Sequence, residues 1–101
     1  MTNFDKMSVD RLELLIRRRR NQEAPPGSRW YTTDIQTALS LFSQDRYIDL
    51  IKRGFSYWTV ILYDDRGEER LRAVGRDLAR TICIAWCWEQ EMLDEANIQG
   101  Q

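Results

Sequence analysis

The chain has 101 residues, enough for one domain with a single buried core and too few for two. Hydrophobic residues make up 43% and charged residues 31%, a balance that excludes a disordered chain. With no histidine and a net charge of −1, the commonest general base and metal ligand is missing, and no overall field favours nucleic acid.

The even balance hides an asymmetry. Residues 1–30 carry seven Lys/Arg against four acids, residues 31–75 six against seven, and residues 76–101 two against five. A basic front and an acidic back attract each other. Pairing within one molecule is the expected outcome, and pairing between two copies would give a homodimer.

Residues 1–101 read as one domain, with 1–7 and 97–101 expected to fray. The opening Met1–Lys6 has no apolar core, so it does not read as a secretory signal, and no stretch approaches the length needed to span a bilayer. A cytoplasmic location without a membrane partner is expected. Ser8 caps a first helix with Asp10 in its first turn, and Val9, Leu12, Leu15 and Ile16 recur at helical spacing. Arg17, Arg18, Arg19 and Arg20 end it with four cations that suit the negative end of the helix dipole. Residues 21–29 form a linker, because Pro25-Pro26-Gly27 cannot sit inside a helix or strand.

Thr33-Asp34-Ile35-Gln36 fits a capping box with Thr33 as the cap. Ile35, Ala38, Leu39 and Phe42 follow at helical spacing. Tyr47, Ile48, Leu50 and Ile51 read as a helical continuation or a separate turn, stopped by Gly54. Phe55–Tyr63 is rich in aromatic and β-branched residues and predicts a strand. Trp58, Val60 and Leu62 occupy one face of it, and Phe55, Tyr57, Ile61 and Tyr63 the other. Both faces are apolar, which predicts cover on both sides. Asp64-Asp65-Arg66-Gly67 is a hairpin turn. A return strand over Glu68–Val74 places Leu71 and Ala73 on one face and Arg70 and Arg72 on the other.

A two-stranded sheet alone is marginal. Either a third strand lies around Arg29–Thr32 or Tyr47–Lys52, or helices cover both faces. The fold class is α+β: a small α/β/α-type sandwich in the order helix, helix, strand, strand, helix, with an antiparallel hairpin and a long C-terminal helix.

That last helix, from about Arg76 to Ile98, contains the apolar run Thr81–Trp88. Leu78, Ile82, Ala85, Trp86, Leu93 and Ala96 share one face, with Met92 at its edge and Glu89 as an intruder in its middle. Ile84 and Trp88 lie roughly opposite, flanked by Asp77, Glu91 and Glu95. Either the first helix covers them, or they anchor a partner, since Trp ringed by charge is typical of interface hot spots. Cys83 and Cys87 stand one helical turn apart, poorly placed for a disulfide. They read as small buried hydrophobes in a reducing compartment.

No catalytic residue, metal site or cofactor is expected. The two cysteines lack the further ligands of a zinc site. The five glycines are too scattered to cradle a phosphate, and nothing singles out a carboxylate pair. Arg17–Arg20 is the one motif with nucleic-acid character, and Tyr57, Trp58 and Tyr63 on a strand could stack bases.

Two segments together resemble a family of small bacteriophage proteins. Arg29-Trp30-Tyr31-Thr32-Thr33-Asp34-Ile35-Gln36-Thr37-Ala38 resembles the helix start of the phage ABA sandwich domain. Thr81-Ile82-Cys83-Ile84-Ala85 resembles the Ala-Ile-Cys-x-Ala-type motif of its last helix. After the first helix the chain departs from the pattern, carrying Arg17–Arg20 where Gly-Trp is common. The resemblance implies an α/β/α sandwich in a phage or prophage setting, without established chemistry. It suggests an accessory protein that binds a host or phage protein in the host cytoplasm, such as an inhibitor of a CRISPR effector or another defence complex. The expected contacts are Ile84, Trp88 and Glu91, with Arg17, Arg18, Arg19 and Arg20 as a second, electrostatic patch. The alternative is a small RNA- or DNA-binding module using that arginine patch.

Overall fold

A computed structural model describes residues 2–99. After a short 3₁₀ turn at Phe4–Lys6 come α1 (Val9–Arg19), α2 (Ile35–Leu39), β1 (Ile48–Arg53), β2 (Tyr57–Tyr63), β3 (Glu69–Gly75) and α3 (Leu78–Gln99). The three strands form one antiparallel sheet in the order β1-β2-β3. The α+β class, the antiparallel hairpin and the long C-terminal helix are as expected. The third strand lies at Ile48–Arg53, the second of the two places the sequence left open for one, so the reading of Tyr47–Ile51 as helix is corrected. Ile48 and Leu50 point to the helices and Asp49 away from them, the period of a strand.

α3 packs on β2 and β3, while α1 and the 3₁₀ turn pack on α3. The layers are therefore sheet, α3, then α1, with the helices stacked on one side of the sheet. The core lies along both faces of α3: Leu12 and Ile16 from α1, Val60, Leu62 and Ala73 from the sheet, and Ile82, Cys83, Ile84 and Ala85 from α3 itself. The last turns of α3 outrun this packing, and Leu93 and Ile98 are exposed. Phe4 is buried against the core, so the front of the chain is docked. The fraying expected at 97–101 falls partly outside the described residues; Asn97 to Gln99 belong to α3.

Local signals explain most element ends. The Ser8 hydroxyl accepts the Arg11 amide at 3.2 Å and starts α1. At α2 the cap is Asp34, whose Oδ1 accepts the Gln36 amide at 3.0 Å. Thr33, the cap the sequence suggested, instead donates to Arg29 O. The Asp77 carboxylate accepts the Arg80 amide at 2.9 Å at the head of α3. Gly75 lets β3 end hard against that helix, because a Cβ there would collide with Thr81 Oγ1.

Two buried carboxylates lock the layers. Glu13 on α1 accepts the Tyr31 and Thr32 amides, each at 2.7 Å, and the Thr32 hydroxyl at 3.0 Å, all through Oε1. This ties the end of the linker to α1. Glu89, the intruder in the apolar stripe, is 3% exposed. It is clamped by the Arg46 guanidinium, with Nη1 donating to Oε1 at 2.8 Å and Nη2 to Oε2. Arg70 Nε adds a contact at 3.8 Å. A register shift between Leu62 and Tyr63 makes Arg70 the extra residue of β3. The bulge turns Arg70 toward Glu89, away from the face it was expected to share with Arg72.

Candidate binding face of the sheet

The charges expected to form a site are largely used within the fold. Ile84 is 2% exposed and belongs to the core, so it is not a surface contact. Trp88 is half-buried, and its indole Nε1 donates to Thr2 O at 2.8 Å. Glu91 accepts the Thr2 amide at 3.0 Å, which holds its carboxyl below the usual range. The front of the chain itself therefore covers the side of α3 that carries Ile84, Trp88 and Glu91. Arg80 completes the seam by donating to Asp5 O and Met7 O.

The arginine run divides in the same way. Arg17 is buried because the helical period turns it inward, one turn after Glu13. Arg19 makes a two-pronged contact with Asp94 at 2.6 and 2.7 Å, pairing the basic front with the acidic back inside one molecule. Of the four, Arg18 and Arg20 remain exposed and form no ion pair among the described residues. A four-arginine patch is therefore not present on the surface.

The unsatisfied surface lies on the other side of the molecule. Register places Asp49, Ile51 and Arg53 of β1, Tyr57, Thr59, Ile61 and Tyr63 of β2, and Arg72 and Val74 of β3 on one face. All helices lie on the opposite side. Thr59 and Ile61, in the central strand, are each only 5% exposed, and Ile61 stands outside the core cluster. Around this centre, Tyr47, Tyr57 and Val74 are exposed, and Phe55 is fully exposed at the tip of the β1–β2 turn. The expectation of cover on both faces of β2 holds for Trp58, Val60 and Leu62, which pack on the helices. The opposite row meets no helix.

The face is electrically two-ended. At the β1–β2 turn, Arg53 and Arg76 stand beside Tyr57, and neither forms an ion pair among the described residues; Lys52, the partner of Trp58, belongs to the helix-side face. Arg76 lies over the Tyr57 ring, 5.5 Å from its centroid. The nearest acid in sequence, Asp77, is turned to the head of α3. At the β2–β3 turn sit Asp64, Asp65, Glu68 and Glu69. Asp64 folds the turn by accepting the Arg66 and Glu68 amides, both at 2.9 Å, and Glu69 pairs with Arg72. Near this end Tyr63 donates to Asp49 at 2.7 Å, which pushes its phenol pKa up, and Tyr47 packs edge-on against Tyr63.

Tyr57 and Tyr63 thus reach the open face, whereas Trp58, the third aromatic considered for stacking, faces the core. Reactive groups are not gathered here. Cys83 and Cys87 are buried in the helical layers, and burial pushes both thiols up, Cys87 to about 12. Among the described residues, no group of three or more Cys, Asp or Glu is placed to hold a metal ion, and no helix is long and apolar enough to cross a membrane. No family model, curated protein or solved structure matches the chain.

Sequence reading missed this face because a third strand at Tyr47–Lys52 was only one of several alternatives, beside a helical reading of the same residues. Had Ile48–Arg53 been read as a strand, Arg53-Gly54-Phe55-Ser56-Tyr57 would have stood out as a tight turn with an apolar tip.

Proposed function

We propose that this chain is a non-enzymatic binding protein that docks an acidic partner protein on the helix-free face of its sheet. The observation that carries this reading is the concentration of Phe55, Tyr57 and Val74 beside Arg53 and Arg76, which form no ion pair among the described residues. Tyr, Phe and Arg are the side chains enriched in interface centres. Arg53 and Arg76 would steer toward acidic groups, and the exposed rings would receive an apolar side chain set among those acids. The phage resemblance supplies a setting for such a protein. There the partner would be a host or phage protein, and blocking a defence complex would be one use of the face.

A display selection of random peptides against the full chain tests this. Enriched peptides are expected to be acidic and to carry an aromatic or aliphatic residue. They should lose binding to a Phe55→Ser, Tyr57→Ser, Val74→Thr variant whose melting temperature matches the parent. Binding untouched by those substitutions would place the site elsewhere. Binding of oligonucleotides instead, falling steeply with salt, would replace the protein partner with a nucleic acid.

A further inference from the structure

Arg17 is the one buried cation among the described residues, and it has no counter-ion. Only 6% of it is exposed. Its Nε donates to Glu13 O at 3.3 Å, and its Nη1 has no partner. A guanidinium stays charged at any working pH, and leaving one buried and unpaired is strongly unfavourable. Asp10 pairs with Arg29 at 3.2 Å and Glu23 is in solvent; Glu13, one turn before Arg17, uses Oε1 on Tyr31 and Thr32, while its Oε2 is buried without a partner and forms no ion pair with Arg17.

Arg17 lines a cleft of about 560 Å³ between the second half of α1 and the chain that follows it, a size typical of small-molecule sites. Leu14, Ala24 and Pro26 give this cleft an apolar wall; its polar lining is Arg17, Arg18 and Gln22 together with Asp10, which is paired with Arg29, and the solvated Glu23. Leu14 is partly exposed there, at 39%. Within it the unpartnered Arg17 guanidinium calls for an anion, and the wall around Leu14 for an apolar body.

We propose that this cleft binds a small organic carboxylate carried on an apolar body. Arg17 receives the carboxylate, whose two oxygens match the guanidinium fork, and Leu14, Ala24 and Pro26 pack against the body. An inorganic anion would satisfy the charge but leave the apolar wall wet. A free acid and the C-terminus of an apolar peptide share the required chemistry.

The full chain is titrated with phenylacetate, phenylacetamide, inorganic phosphate, and a short apolar peptide with a free or an amidated C-terminus. Melting temperature and the Leu14 methyl resonances are followed. Phenylacetate is expected to raise the melting temperature and shift the methyl signals, and phenylacetamide and phosphate to do neither. The free-ended peptide acting like phenylacetate while the amidated one does not assigns the peptide source; phenylacetate acting alone assigns the free acid. Arg17→Met should raise the melting temperature without ligand, because it removes an uncompensated buried charge, and should weaken phenylacetate at least about tenfold. Leu14→Glu, at an exposed position, should keep the fold and abolish phenylacetate binding. The proposal fails if no carboxylate acts or if phosphate acts equally well. It also fails if Arg17→Met lowers the melting temperature, since Arg17 would then be paired with Glu13 inside the fold, or if Leu14→Glu binds phenylacetate unchanged.

Discussion

Replacing Glu89 by Leu should be among the most damaging single changes in this protein, although it makes the apolar stripe of α3 continuous. The Glu89 side chain is 4% exposed and meets two guanidinium groups, Arg46 at 22% and Arg70 at 31% side-chain exposure. Removing one partner of a buried pair costs about 3–5 kcal/mol, because the other charge stays buried and uncompensated. Arg46 keeps its bond to Tyr63 O at 2.9 Å and its place over the Phe42 ring. Both arginines also retain some contact with water, so the lower end of that range, about 3 kcal/mol, is expected. For a chain of this length that is a fall in melting temperature on the order of 15 °C. Urea unfolding followed by circular dichroism should show a lower midpoint with an unchanged slope. The double variant Glu89→Leu, Arg46→Met removes both charges of the clamp and should recover much of the loss. If Glu89→Leu stays within about 1 kcal/mol of the parent, or the double variant is no more stable than the single one, the clamp is not a buried pair in this sense.

The two thiols should be inert in the folded protein, because burial raises both, Cys87 to about 12. Iodoacetamide at about pH 8 should label them only after guanidinium chloride is added, and rapid labelling of the native chain would show that the helical layers open. Acid should act through the exposed carboxylates that gain partners on folding: Asp94 by its bonds from Arg19, Glu91 by its bond from Thr2, and Glu69 by its bond from Arg72, all held below their ordinary values. Below about pH 4 the unfolded chain therefore binds more protons than the folded one, and stability falls as pH falls. Arg19→Gln should flatten this dependence in urea midpoints taken across that range; an unchanged slope would mean that Arg19 and Asp94 do not pair in solution.

Local signals carried much of the fold, and distant pairings carried what was illegible. Ser8 before Val9, Leu12 and Ile16 is a cap followed by a helical stripe, and each part needs only a few neighbouring residues. The Asp64–Gly67 turn is equally local. Tyr47–Ile51 failed because Ile51 is apolar on the helix-free face, so a strand and a helix share its pattern. The α2 cap failed by one residue because Thr33 and Asp34 are both capping types, and Arg29 O claims the Thr33 hydroxyl. Glu13 and Glu89 looked like ordinary charges. Their burial depends on partners 18 to 43 positions away, which no spacing rule reveals.

The apolar run at Thr81–Trp88 shows how such partners redirect a functional reading. A helix that is apolar nearly all round must be covered nearly all round. For a helix in an outer layer the missing cover would be another molecule. α3 is the middle layer, with the sheet on one side and α1 and the 3₁₀ turn on the other, so its excess apolar surface is satisfied at home. That arrangement has a consequence for the sheet. Helices stacked on one side cannot also cover the other, and β2, whose sequence is apolar on both faces, keeps one row without a helix. The partner surface that we propose therefore lies on the far side of β2 and not on α3. There Phe55, Tyr57 and Val74 meet unpaired cations, and an acidic, partly apolar surface would complete what the fold leaves open.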